Sequence, residues 1–169
     1  MSTLKVNQIQ DTSGNIRRGI QTYAIICDEK SANTDGGTFS NGAWRTRDLN
    51  TKIIDPDNIV SISSNQFTLG AGTYLIKAYA SAIEVNRHQT RLYNVTSSAV
   101  VEVGSSEHSS STGGYATNKS FVNARITITG STTFELQHRC HVSRSNDGYG
   151  LGHDWGSCRF SMVEIYKED

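Results

Sequence analysis

Residues 65–80 read Asn65-Gln66-Phe67-Thr68-Leu69-Gly70-Ala71-Gly72-Thr73-Tyr74-Leu75-Ile76-Lys77-Ala78-Tyr79-Ala80. Two alternating runs flank a Gly-Ala-Gly break, the pattern of two strands joined by a turn. Side chains alternate across a strand, so Tyr74, Ile76, Ala78 and Ala80 share one face and Leu75, Lys77 and Tyr79 the other. The first set has the character of a core. Leu75 and Tyr79 are too apolar for plain exposure, and a subunit interface is expected there.

The same grammar runs outward in both directions. Gln21 to Asp28 reads as a strand, followed by a polar loop from Ser31 to Gly42, and Trp44 to Leu49 alternates again. Asp55-Pro56-Asp57-Asn58 is a turn holding the lone proline, whose fixed φ suits that place. Gln89 to Val95 and Ala99 to Val103 form a hairpin across Thr96-Ser97-Ser98. A polar loop from Ser105 to Gly114 then leads to Ser120–Thr129, with Val122, Ala124, Ile126 and Ile128 on one face. Phe134, Leu136, His138 and Cys140 share a face of the next strand. The polar stretch Ser143–Gly156 precedes the closing strand Cys158–Tyr166. Helical periodicity is absent. About eight to ten antiparallel strands in one domain fit an all-β, two-sheet antiparallel jelly-roll sandwich. Residues 1–19 stand apart as an N-terminal arm with few apolar side chains, and residues 20–169 form the head domain.

Composition narrows the function. The 169 residues carry 16 Lys plus Arg against 16 Asp plus Glu, a formal net charge of zero. Nucleic-acid binding depends on clustered basic residues and is disfavoured. No stretch approaches the ~20 apolar residues that span a bilayer, so no membrane insertion is expected. The N-terminus lacks the apolar core of a secretory signal. The cysteines, Cys27, Cys140 and Cys158, fit neither a disulfide framework nor a zinc motif and are expected to be buried thiols; Cys140 and Cys158 could still face each other across a sheet.

A resemblance sharpens these expectations. Phe67, then Gly72-Thr73-Tyr74-Leu75-Ile76, followed by a hairpin and a closing aliphatic strand, resembles the tumour-necrosis-factor-like jelly roll shared by complement-type heads. The chain departs from that pattern in a first spacing shorter by one residue, and in having Ile76 where the last aromatic stands. Gly72–Ile76, Val85–Thr96, Phe134–Cys140 and the Asp147-Gly148-Tyr149-Gly150 loop also resemble the distal domain of tailed-phage tail-fibre proteins. The opening Ser2–Asp11 is similar to the start of many such proteins. The resemblance implies a homotrimer on the virion surface, made in the host cytoplasm, with host-receptor recognition as its usual task. The arm would dock on other virion proteins. With the head starting near residue 20 there is no room for a shaft, so fibre tip, small adhesin and structural decoration or adaptor knob all stay open.

Within the head, Ser143–Gly156 is the expected ligand loop. Asn146, Asp147, Tyr149, His153, Asp154 and Trp155 combine planar hydrogen-bonding groups with aromatic platforms, the chemistry that grips a host-surface carbohydrate. The alternative is that Trp155 packs in a core or subunit contact and the loop only connects. Ser105–Lys119, with His108 and Tyr115, is a second candidate. Arg87, His88 and Arg91 cluster locally, and Arg87 and Arg91 are expected to pair with acidic residues between strands or subunits. His138 and His141, three apart, fall on opposite faces of a strand, so one strand cannot present both to one ion; no metal and no cofactor is expected. No nucleophile elbow, metalloprotease helix or phosphate loop occurs. Glu84, Asp147 and Asp154 are carboxylates that glycan hydrolysis would need in pairs, but nothing singles them out, and the chain is expected not to be an enzyme.

Overall fold

The computed structural model describes residues 22–110 and 116–168, and the backbone of two short strands before them, β1 (Ile9–Gln10) and β2 (Ile16–Arg17). These two pair antiparallel with each other and with neither of the sheets that follow. The head begins with β3 (Tyr23–Lys30), β4 (Arg45–Thr46), β5 (Thr51–Ile54), β6 (Val60–Ser63) and β7 (Gln66–Leu69). It continues with β8 (Gly72–Ile83), β9 (Asn86–Asn94), β10 (Ala99–Ser109), β11 (Thr117–Ile128), β12 (Thr132–Cys140) and β13 (Cys158–Glu168). No helix occurs among the described residues.

Two antiparallel sheets face each other. One runs β10-β9-β12-β7-β6 with β4 pairing the far part of β12, and the other runs β11-β8-β13-β3-β5. The thirteen strands exceed the expected eight to ten because β1, β2 and β4 are two-residue pieces. Trp44–Leu49 contributes only Arg45–Thr46, and the polar loop expected from Ser105 is strand as far as Ser109.

The alternation read in β8 is the one that forms. Tyr74, Ile76, Ala78 and Ala80 are buried between the sheets, meeting Val122, Ala124, Val163 and Ile165 of their own sheet and Phe67, Leu92, Phe134 and Leu136 of the other. Phe67 and Phe134 stack at 5.5 Å across the β7–β12 ladder. Tyr74 keeps its hydroxyl satisfied by donating to Gly70 O at 3.0 Å, which pins the turn into β8. One flank is closed where β10 leaves its own sheet and meets β11. There Phe121 N donates to Ser105 Oγ (3.0 Å), Ser120 Oγ donates to Ser105 O (2.6 Å) and Thr90 N donates to Ser120 Oγ (2.9 Å). Gly104 sits in this crossing, and a Cβ there would collide with Thr90 Oγ1 and Phe121 O.

The long loops at 31–42 and 141–157 zip together over one end of the sandwich. Main-chain bonds link Asn33 N to His153 O, Gly36 N to Gly150 O and Gly37 N to Asn146 O, each 2.8 Å, and Phe39 N to Arg144 O at 2.9 Å. The zipper covers a second small core of Phe39, Ala82, Val85 and Cys140, with Tyr149 packed against it.

Candidate functional site

Beneath that zipper the interior turns from aliphatic to polar. Arg47 is fully buried, donating to Ser81 O and Phe160 O (3.3 and 3.2 Å), with its guanidinium 3.7 Å from the centre of the Tyr149 ring. Tyr149 packs on Phe39 and Phe39 on His138, each at 4.6 Å, and His88 meets His138 edge-on at 5.0 Å. Burial lowers the Arg47 pKa to about 10 and pushes His138 well below its ordinary value, helped there by the charge of Arg47. Burial also lowers His88, against the opposing effect of the hydrogen bond it donates to Asn118.

The hydrogen bonds fix the tautomers. Asn118 Nδ2 donates to His108 O (2.8 Å), which turns Asn118 Oδ1 toward His88 Nε2 at 2.6 Å. His88 Nε2 therefore carries the proton, and Nδ1 of the neutral ring accepts from His138 Nε2 at 2.9 Å. His138 Nδ1 is left as a buried lone pair without a partner, and Arg47 Nε is likewise unpaired.

His88 also forms the floor of a surface cleft of about 750 Å³. Four segments build it: Asn41–Trp44 from the end of the zipper, Arg87–Gln89 at the start of β9, Ser106–His108 at the end of β10, and Arg139–His141 where β12 ends. The β9–β12 register pairs Arg139 with Gln89 and Cys140 with His88. Arg87, Gln89 and Arg139 thus share the outer face, while His88 and Cys140 point inward. Arg87, Arg139, His108 and His141 are exposed on the rim. Arg87 Nη2 lies 3.5 Å from His141 Nε2. Trp44 lines the cleft with Arg91 over its ring at 4.2 Å, and Arg91 Nε donates to Gln137 at 2.7 Å. Of the ion pairs expected of Arg87 and Arg91 between strands or subunits, those between strands do not form. Among the described residues neither arginine, nor Arg139, has a carboxylate within salt-bridge distance. Their partners on adjacent strands are His108 for Arg87, Val103 and Gln137 for Arg91, and Gln89 for Arg139.

The structure divides the residues expected in the Ser143–Gly156 ligand loop. Asp147 is removed from that set: it is buried, chelated by Arg144 Nε and Nη2 at 2.7 and 2.9 Å, and its pKa is held below the usual carboxylate range by that pairing. Tyr149 is removed as well, since its ring lies between Arg47 and Phe39. Glu84 clamps the same Arg144 guanidinium, so Glu84 and Asp147 hold the loop while Asp154 lies exposed apart from them. Asn146 is exposed in a left-handed conformation (φ 67°), its N–H bonded to Thr38 Oγ1. His153, Asp154 and Trp155 stand together at the far end of the zipper. Trp155 is 88% exposed and stacks on His153 at 4.9 Å, so it belongs to no core.

In the second candidate segment, His108 lines the cleft, while Tyr115 lies outside the described residues. The three cysteines are buried and free, and Cys140 and Cys158 start from different sheets, so they do not face each other across one. His138 and His141 fall on opposite sides of β12, one fully buried and one exposed. No cluster of three potential metal ligands occurs among the described residues.

On the opposite sheet, the outer face mixes aromatic side chains with lysines that lie over them, Lys119 over Tyr79 and Lys77 over Tyr166. Leu75 and Tyr79 of β8 lie there half-buried, opposite Arg125 and Phe121 of β11 and Tyr166 and Met162 of β13. Tyr79 and Phe121 meet at 6.0 Å and Tyr23 and Tyr166 at 6.4 Å, with Phe121 51% exposed.

The arrangement of these two sheets has known counterparts. The chain aligns with the globular domain of a zebrafish complement 1qA protein at TM-score 0.54 and 14% identity, covering 86% of this chain and 96% of that one. The fold is the tumour-necrosis-factor-like jelly roll. Eiger TNF from S. frugiperda aligns at TM-score 0.56 and 14% identity, over 88% of this chain and 93% of its own. Murine APRIL aligns at TM-score 0.54 and 8% identity, over 86% and 99%. No protein-family model matches the sequence, and no curated protein matches it. In jelly-roll terms, the aromatic strip lies on the β11-β8-β13-β3-β5 sheet and the cleft opens on the other.

Proposed function

We propose that the chain is a trimeric binding head of the tailed-phage tail-fibre type, which attaches a virion to a receptor on the host surface and performs no catalysis. The observation that carries the reading is the aromatic strip on the outer face of the β8 sheet. Exposed aromatic side chains gathered on one face mark an interaction site, here with Lys77 between the Leu75 and Tyr79 rows, and threefold packing of this jelly roll through that face covers Leu75, Tyr79 and Phe121 together. A trimer then presents three copies of every outward site, which multiplies weak contacts into avidity. The phage assignment is supported by the sequence resemblance of Gly72–Ile76, Val85–Thr96 and Phe134–Cys140, together with the jelly-roll fold. The β1–β2 hairpin, which among the described residues pairs only with itself, suits an arm that docks on another virion protein. The receptor site is the cleft at Arg87, Arg139 and Trp44, with His153, Asp154 and Trp155 as an accessory tip.

Light scattering on the purified chain, followed by binding of the same sample to a panel of bacterial cells, tests the proposal. A trimer that binds cells of a host strain is expected. A monomer overturns the trimeric head, and a trimer that binds no cells makes the protein a structural virion knob.

A further inference from the structure

We infer that the cleft between β9, β10 and β12 takes an acidic sugar, a saccharide whose carboxylate or phosphate group is held by Arg87 and Arg139. The inference rests on the receptor-binding reading and names the ligand class.

Three observations support it. The first is uncompensated charge. Arg125, Arg144 and Arg159 each carry a carboxylate partner, Glu168, Asp147 and Glu29 respectively. Among the described residues Arg87 and Arg139, like Arg45 and Arg91, have no carboxylate within salt-bridge distance. Because Arg139 pairs with Gln89, Arg87 is its diagonal neighbour on the same face, and such neighbours stand about 7–8 Å apart. Two long guanidinium side chains at that spacing repel each other when empty and converge on one anion when it is bound. Guanidinium forks match carboxylate and phosphate oxygens bidentately.

The second observation is the mixture around the arginines. Trp44, with one face of its ring taken by Arg91, supplies the remaining apolar surface to the cleft. Gln89 donates its amide N–H groups to Gly104 O and Ser106 Oγ at 2.8 and 3.2 Å, which leaves its carbonyl oxygen to accept from a hydroxyl. Glu107 is the one acid among the lining residues, an acceptor for a second hydroxyl. A bare ion needs none of these groups, whereas a sugar uses all of them. The third is size. A cleft of about 750 Å³ lies within the range of small-molecule sites.

The experiment is calorimetric titration of the full chain with digalacturonic acid, its methyl ester, glucose 6-phosphate and methyl glucoside. Binding of an acidic probe, with its neutral counterpart weaker by about tenfold or more, is expected; the carboxylate and phosphate arms tell which acid is preferred. The R87Q/R139Q variant, checked for an unchanged melting temperature, is expected to lose about 10- to 100-fold in affinity for that probe. Failure of both acidic probes to bind, equal affinity for acidic and neutral probes, or wild-type affinity in the double variant overturns the inference. Cell binding by the same variant separates the two levels. Undiminished attachment discards the cleft and leaves the receptor-binding head in place, whereas wild-type protein that attaches to no cell discards the head reading itself.

Discussion

His88 and His138 share a single buried hydrogen bond, Nδ1 to Nε2 at 2.9 Å, in which both rings are neutral and only one proton lies between them. Protonating His88 would place two donors nose to nose unless the His138 ring changed tautomer, which would leave a buried N–H with no acceptor.

Stability should therefore fall on mild acidification. Both histidines have folded-state pKa values lowered by burial, so below about pH 6.5 the unfolded chain binds more protons than the folded one. The contribution is complete above the unfolded value and is lost as pH drops below it, by up to about 1.4 kcal/mol per pH unit for each histidine. The groups facing the pair are Arg47, Asn118, Glu107 and His108, and none supplies a contacting carboxylate. Urea denaturation from pH 8 to pH 5 should show this slope, and H138L should flatten it. A stability independent of pH between 7 and 5 would contradict the neutral pair.

Assembly should depend on the aromatic strip. Tyr79→Asp or Phe121→Asp puts a carboxylate among rings 6.0 Å apart, on the face that the proposed trimer would cover. Monomers are expected in light scattering at low concentration, with the melting transition retained. Trimers that persist in both variants would place the subunit contact elsewhere.

Arg144→Ala should loosen the loop zipper from the sandwich. It takes the guanidinium away from Asp147 and from Glu84, both less than a tenth exposed. A loss of about 2–3 kcal/mol is expected, since Arg144 is itself partly open to water. R144K should recover only part of it, because an ammonium cannot chelate Asp147 with two parallel bonds. Equilibrium denaturation of the two variants checks both figures.

Deleting residues 2–18 should leave the head folded, as β1 and β2 pair only with each other among the described residues. An unchanged melting temperature with loss of incorporation into particles is expected. Failure to fold would make the arm part of the core.

The sandwich was legible because strand period and burial are the same information. Tyr74, Ile76, Ala78 and Ala80, and Phe134, Leu136, His138 and Cys140, could be assigned to inner faces by counting in twos, and each of them is buried. The cleft was not legible because four segments far apart in the chain meet there. Counting in twos from Arg87 and back from His141 would have put Arg87, Gln89, Arg91, Gln137, Arg139 and His141 on outer faces, but only the β9–β12 register shows that they share one. Asp147 and Tyr149 looked like ligand groups for a related reason. A loop rich in Gly, Ser and Asn resembles an open surface, whereas this one is fastened by main-chain bonds to residues 33–39 that leave no signature in side-chain identity.

That fastening separates shape from chemistry. Since the links at Asn33, Gly37 and Phe39 pass through backbone atoms, the side chains of His153, Asp154 and Trp155 add to them only the bond from Trp155 N to His153 Nδ1. Selection is then free to rewrite those three letters while the scaffold stays constant, so the tip is the part of the molecule best placed to track a changing target.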